Sequence, residues 1–474
     1  MQPKNLLRNV IILLSVFWFS ACQKHIDMKE ILGHESPKQD SNGFVENDMV
    51  LTWNENVSNV ISKTAGPPPV LSRHFTMSQI AVHDALNSIK PKYKTYALLN
   101  THEKDADADA AVASAAYWTL KNLNTYLGTL TPAGSLPLQT SGNDWEAWFA
   151  TSMATIPDGA AKEAGIALGK KAAEAIMQKR ADDNFAQARV TYIPIPAPET
   201  PLAPGVYRPT TSQAPVPAYH SGGLPLWSTL MKPFTITSNN QFRPTAPPSL
   251  TSDTYSSDYN EVKQLGARFG STRNADQTHI ANFWQEGPNT IWNRFARNAI
   301  QTKKVDAWRS ARLLAIFNTA IFDGVLAAFD GLYYYQTWRP ESAIRLGDND
   351  ENDQTTSIED WLPFVTDIKV GPAPQTPTPP IPEYPNPNVA TSAAAARILA
   401  LFFETDKTDI NLITQDVTVP GTSRVFTSFS QAHEEFFNSR IYAGFNFRYS
   451  LKVGSEIGDQ VAHYVYEYNF KENN

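Results

Sequence analysis

Three short runs hold the residues best suited to chemistry. Ser439-Arg440-Ile441-Tyr442-Ala443-Gly444-Phe445-Asn446 sets an arginine, a glycine and a carboxamide at fixed spacing. Well upstream stands Trp338-Arg339-Pro340, and between the two lies Pro385-Asn386-Pro387-Asn388, just ahead of an alanine run. Guanidinium groups grip the oxygens of tetrahedral anions in bidentate fashion, and a helix N-terminus adds N–H donors. Arg339 and Arg440 are therefore the candidate anion-binding residues. The amides of Asn386, Asn388 and Asn446 can hydrogen-bond, but an amide nitrogen is neither a useful metal ligand nor a nucleophile, because its lone pair is delocalised into the carbonyl. No imidazole stands in any of the three runs. His433, seven residues before Arg440, shares a helix face with it if that stretch is helical, which makes it a weak substitute base; a surface or capping role is the plainer reading. The arginines also have a plainer reading, as buried partners of Asp323 or Glu435. His74 and His83 fall on roughly opposed faces of one helix, so no metal site is expected.

The elements that must position these residues read as helices. Met77, Ile80, Ala81, Ala85 and Ile89 recur at helical spacing, as do Ala161, Ala164, Leu168, Ala172 and Ile176, with Asp158 as the expected N-cap. Ala311 to Phe329 is apolar nearly all round, the mark of a central buried helix. On it Thr319 and Asp323 sit one turn apart, expected either to satisfy each other or to let Asp323 support an arginine. A last helix carries Val453, Ile457, Val461, Tyr464, Val465 and Tyr468 in one stripe. Proline-rich stretches, Thr191 to Pro233 and Gly371 to Pro387, read as long loops. No repeat and no strand-rich stretch is expected. The pattern predicts an all-α helical bundle with long Pro-rich loops: an N-terminal helical part over 46–250, with its loop at 191–233, and a helical core over 251–474.

Taken together, the three runs resemble the sequence blocks of the vanadium-dependent haloperoxidases and the related PAP2-type acid phosphatases, which read Lys-x6-Arg-Pro, Pro-Ser-Gly-His and Ser-Arg-x3-Gly-x-His. Further similarity in Phe242-Arg243-Pro244, Glu261-Val262-Lys263 and Ile280-Ala281-Asn282-Phe283-Trp284 extends the resemblance over roughly 45–468. It implies a helical fold around an oxoanion pocket, with vanadate as cofactor if the site is active. In that family one histidine binds vanadium or attacks phosphorus, and the other moves the proton. This chain departs at five matched positions. Leu332 stands for the lysine, Asn386 for serine, Pro387 for glycine, Asn388 for the acid–base histidine and Asn446 for the ligand or nucleophile histidine. Acid–base catalysis alone is worth about 10²–10⁴ in rate, so the expectation is a pocket impaired in that chemistry, with no cofactor.

The 474-residue chain has 42% hydrophobic and 11% aromatic residues, enough for a large core. Its net charge of −7 argues against nucleic acid as a partner. Lys4 and Arg8 precede an apolar run, Val10 to Phe19, that ends in Ser20-Ala21-Cys22, and Cys22 is the sole cysteine. This reads as a signal peptide over 1–21 with a lipobox-like end, so Cys22 is the expected lipidation site, followed by a polar tether over 22–45. Gln23, where a retention aspartate would stand, favours the outer membrane of a bacterial envelope. Three functions follow: a surface lipoprotein with an impaired oxoanion pocket, acting as a binding or scaffold protein; an active haloperoxidase or phosphatase with a rearranged site, for a small oxoanion or phosphate ester; or an accessory protein of a glycan or nutrient system, for which 11 Trp and 18 Tyr supply stacking surfaces.

Overall fold

The structure is a computed structural model that describes residues 48–64, 68–130, 138, 144–189, 203–208, 230–365, 378–379, 381–416 and 419–473. The signal segment, the tether, Cys22, most of the 191–233 loop and residues 371–377 and 380 of the second loop lie outside the described residues. The main helices are α1 (Asp48–Lys63), α2 (Pro68–Ile89), α3 (Ala108–Thr129), α4 (Trp145–Ala154), α5 (Ala160–Lys179), α6 (Asp253–Leu265), α7 (Ala275–Phe283), α8 (Pro288–Thr302), α9 (Ala307–Tyr335), α10 (Pro340–Arg345), α11 (Pro387–Phe403), α12 (Phe429–Tyr442) and α13 (Arg448–Tyr468). An antiparallel hairpin, β1 (Lys407–Ile413) and β2 (Ser423–Ser428), is inserted between α11 and α12.

Helix α9 is the axis. Asp306 caps it by accepting from Trp308 N and Arg309 N, and Gln336 ends it in the left-handed region. It is long and apolar enough to cross a membrane, yet its apolar window is wholly buried by other helices. It packs against α2 on one side and against α11 and α13 on the other, so the parts before and after residue 250 share one core. Residues 45–474 form one compact unit.

Two sequence expectations need correction here. Asp158 does not cap α5; Gly159 holds that position without a side-chain cap, while Asp158 pairs with Lys162 at 2.8 Å. Asp323 serves neither Thr319 nor an arginine. Its carboxylate accepts from Phe234 N, Thr235 N, Thr235 Oγ1 and Ile236 N, pinning that strand of loop onto α9. The hairpin was not expected either, although Ile410 and Leu412 alternate inward, with Ile410 opposite Phe426.

The contact between α11 and α13 sets the geometry of everything that follows. A Cβ on Gly454 would meet Asn386 O at 2.4 Å, and one on Gly458 would meet Ala390 O at 2.2 Å. Only glycine allows two helix backbones to approach so closely. The turn between α12 and α13 needs Gly444, whose φ of +84° lies in the left-handed region.

Candidate functional site

The three runs do converge. Arg339 is the N-terminal flank of α10, where Pro340 sits at the first helical position and needs no N–H partner. Asn386 caps α11 by accepting from Val389 N at 2.8 Å, and its own N–H donates to Ser450 O at 3.3 Å. Asn446 lies in the turn that enters α13. All three are nearly fully buried.

Arg339 spends its donors on the protein's own backbone. Nε donates to Ile381 O at 2.8 Å, Nη2 to Pro382 O at 3.1 Å and Nη1 to Phe445 O at 3.3 Å. It therefore ties the proline-rich segment before α11 to the turn before α13. Burial holds its pKa below the usual guanidinium value, against the opposing pull of Glu383 and Tyr207. Arg440 is also buried. It donates from Nη2 to Trp284 O at 2.6 Å and from Nε to Ser439 Oγ at 3.2 Å, and its guanidinium stands over Phe436 at 4.9 Å and Phe445 at 5.8 Å. Burial pushes its pKa down to about 10. Neither arginine pairs with the expected acids. Asp323 is held by backbone amides, and Glu435 pairs with Arg424 at 2.6 Å and accepts from Trp284 Nε1 at 3.0 Å. Around Arg440 a carbonyl oxygen and two aromatic faces stand where a carboxylate partner was expected.

The residue that sequence reasoning missed is Glu383. It is fully buried, and its Oε1 accepts from Asn446 Nδ2 at 2.9 Å and from Phe447 N at 3.1 Å. Its Oε2 has no hydrogen-bond partner among the described residues. Burial pushes its carboxyl up to about 7, even though the Arg339 guanidinium, Asn446 and Phe447 N–H favour the charged form. An acid inside a run of prolines and apolar residues, three positions before Asn386, was the available signal.

The remaining positions give little to an anion. Leu332 is fully buried in an apolar cluster with Tyr207, Phe329, Tyr333 and Ile381. Pro387 opens α11 and has no N–H, and the Asn386 side chain already takes the Val389 N–H. That helix N-terminus is thus largely closed by its own chain. Asn388 is half-buried. His433 is not part of this group; it lies near the other end of α12, between Ser392 and Ser455. His74 and His83 are both core residues, His74 edge-on to Phe185 and His83 bonded to Asp84. No group of three or more His, Cys, Asp or Glu able to hold a metal occurs among the described residues.

A vanadate ion would need an axial nitrogen ligand and several free donors. The residues here do not fit it. Asn446 is engaged by Glu383, Leu332 offers no charge, and three N–H groups of Arg339 are bound to carbonyls.

Residues 312–473 match the family model of the VCPO second helical-bundle domain. The first bacterial vanadium-dependent iodoperoxidase to be solved superposes with a TM-score of 0.71 at 20% identity, covering 90% of this chain and 97% of that one. An apo-type bacterial vanadium-dependent chloroperoxidase gives 0.63 at 14% identity over 85% of this chain and 94% of its own. The holo-type structure of a bacterial vanadium-dependent chloroperoxidase gives 0.62, also at 14%, over 90% and 97%. No curated protein sequence matches. The chain has a vanadium haloperoxidase-like, all-α fold.

Proposed function

We propose that this chain keeps the haloperoxidase-like scaffold but has given up oxoanion chemistry, and that it acts as a binding or scaffold protein of the bacterial envelope, tethered through an acylated Cys22. The observation that carries this reading is Glu383. A buried carboxyl, bonded to the amide of Asn446 and within electrostatic reach of Arg339, stands among the groups that would have to receive the anion. Ionised, it repels a tetrahedral anion. Protonated, it still fills the space and holds Asn446. The self-capped start of α11 and the apolar surroundings of Leu332 support the same conclusion.

The test is vanadate binding and turnover by the full chain purified in mild detergent. Vanadium-51 NMR with orthovanadate should show only the free-anion spectrum. Addition of hydrogen peroxide with iodide or bromide should give no halogenation above a protein-free control. Vanadate-dependent turnover would overturn the reading. The tether is tested separately: Cys22→Ser should release the protein from the membrane fraction.

A further inference from the structure

A second polar constellation lies toward the other end of α12, where it packs on α11 and α13. Between α11, α12 and α13 opens a cavity of about 620 Å³, floored by Ala393 and Ala396 and walled by Arg397, His433, Ser455 and Glu456. His433 Nδ1 is 2.7 Å from Ser392 Oγ, and His433 Nε2 is 3.0 Å from Ser455 Oγ. Ser392 is buried and donates its only hydroxyl proton to Val389 O at 3.2 Å. With that proton on Val389 O, Ser392 accepts from the ring, and this arrangement places the imidazole proton on Nδ1 and leaves Nε2 as the acceptor for the Ser455 hydroxyl. Ser455 is on the cavity wall, and His433 is the only hydrogen-bond partner of its hydroxyl among the described residues. A hydroxyl, a base within hydrogen-bond reach and a third group that orients the base are the geometric signature of nucleophilic catalysis.

We propose that Ser455, His433 and Ser392 form an acyl-transfer site that hydrolyses small carboxylic esters, with Ser455 as nucleophile, His433 as base and Ser392 as positioning residue. Ser455 Oγ bonds to the acyl carbon while its proton passes to His433 Nε2, and the carbonyl electron pair moves to oxygen. When the tetrahedral adduct collapses, the ester C–O bond breaks and the alcohol leaves with the proton from Nε2. Water then attacks the acyl-serine by the same route, returning its proton to Ser455 and releasing the carboxylic acid. Gln460 and Arg397 bring side-chain N–H donors to the same lining, Arg397 with its Nε already on Asp459. Asp459 is already paired with Arg397, and Asp406 is bonded to Ser430, whereas Glu456 forms no ion pair among the described residues. The free carboxylate favours esters that carry a cationic group.

His433 is pushed down to about 4 by burial, with Asp459 pulling it up and Arg397 down, while Asp406 and Glu456 line the same cavity. The imidazole is therefore neutral across the working range, and it is a weak base. The rate gain should fall near the lower end of the usual 10²–10⁴ for acid–base catalysis, and activity should stay flat from about pH 6 to 9.

The experiment treats the full chain with a small fluorophosphonate at pH 8, maps the adduct by peptide mass spectrometry, and follows hydrolysis of acetylcholine and of an anionic acetate ester. The expected result is a phosphonyl group on Ser455, reduced at least about tenfold in His433→Gln and absent in Ser455→Ala, with the cationic ester preferred. If the folded wild type carries no adduct on Ser455 while a serine-hydrolase control is fully labelled, the site is a structural clasp and the proposal fails. Nitrogen-15 NMR showing the proton of His433 on Nε2 would overturn it independently of any activity. Preference for the anionic ester would overturn the assigned substrate class.

Discussion

The two ends of α12 differ in what their polar groups face. Near Arg440, with Arg339, Glu383 and Asn446, the hydrogen bonds run inward to backbone carbonyls, a buried carboxyl and a cap. Near His433, the imidazole is oriented by a buried serine and its other nitrogen meets a hydroxyl on an open cavity. Both ends hang on the same close helix pair, α11 and α13. The contrast shows that a conspicuous set of charged residues can be structural, while a modest serine–histidine–serine set can be chemically poised. What separates them is whether the donors are already spent.

The largest effect should come from breaking the spent end. Arg339→Met removes three hydrogen bonds that tie the segment before α11 to the turn before α13, and it leaves Glu383 buried without its neighbouring cation. Loss of one member of such a buried network costs about 3–5 kcal/mol. Urea unfolding should show it as a fall in midpoint at unchanged slope. A cost below about 1 kcal/mol would mean that Arg339 is not an anchor, and the contrast between the two ends would collapse.

Next comes the pH dependence that Glu383 imposes. Its folded pKa, about 7, is raised above the ordinary 4.5 by burial. Between those values the folded state binds more protons than the unfolded chain, so stability is fully present below the lower value and falls as pH rises through the upper one. The full effect is on the order of 3 kcal/mol between about pH 4 and pH 8. Glu383→Gln should flatten that slope in urea titrations at pH 5 and pH 8. Parallel curves for the two proteins would place a permanently ionised Glu383 beside Arg339 instead.

Much of the scaffold was legible from the chain. The largely apolar run at Ala311–Phe329 became the buried part of α9, and the stripe from Val453 to Val465 became α13, because burial of a repeated apolar face is the strongest signal a sequence carries. The stripe failed at Tyr468, which is 68% exposed, since it lies in the last turn beyond the packed face. The hairpin was missed because its strands are short and only Ile410, Leu412 and Phe426 turn inward. At the candidate site the three runs were found, but their partners were not. Arg339 bonds to carbonyls, which carry no residue identity, and Arg440 rests on aromatic faces that helical spacing alone does not bring together. Likewise Ser392 and Ser455 meet His433 only because Gly454 and Gly458 let α13 close on α11.

The open end should show a smaller and opposite pH response. The folded pKa of His433, about 4, is depressed below the ordinary 6.5 by burial. The unfolded chain binds the extra proton between these values, so the stability from this group is present above pH 6.5 and lost as pH falls through 4. Since the side chain lines an open cavity, roughly 2 kcal/mol is the expected size. His433→Gln should lose less stability than the wild type between pH 7 and pH 4.5. An identical loss in both proteins would mean that solvent reaches the ring and that its orientation by Ser392 is weak.

The smallest expected effect is the most informative about the spent end. Replacing both asparagines by histidine, Asn388→His with Asn446→His, restores the two imidazoles that the resemblance calls for. It leaves Leu332 in its apolar cluster, Pro387 without an N–H, the Val389 amide capped by Asn386, and Glu383 facing the new ring. A histidine at 446 would find a carboxylate where an anion must bind, and pairing with Glu383 would favour the imidazolium, which cannot ligate a metal. Vanadium-51 NMR should therefore show no bound vanadate in the double variant, and peroxide-dependent iodide oxidation should stay at background. If adding Glu383→Gln and Leu332→Lys to that variant then produced vanadate binding, the obstacle would be located in the carboxyl and the missing cation. If the two histidines alone sufficed, the pocket would have been lacking only its imidazoles, and the distinction between a spent end and an open one would have to be redrawn.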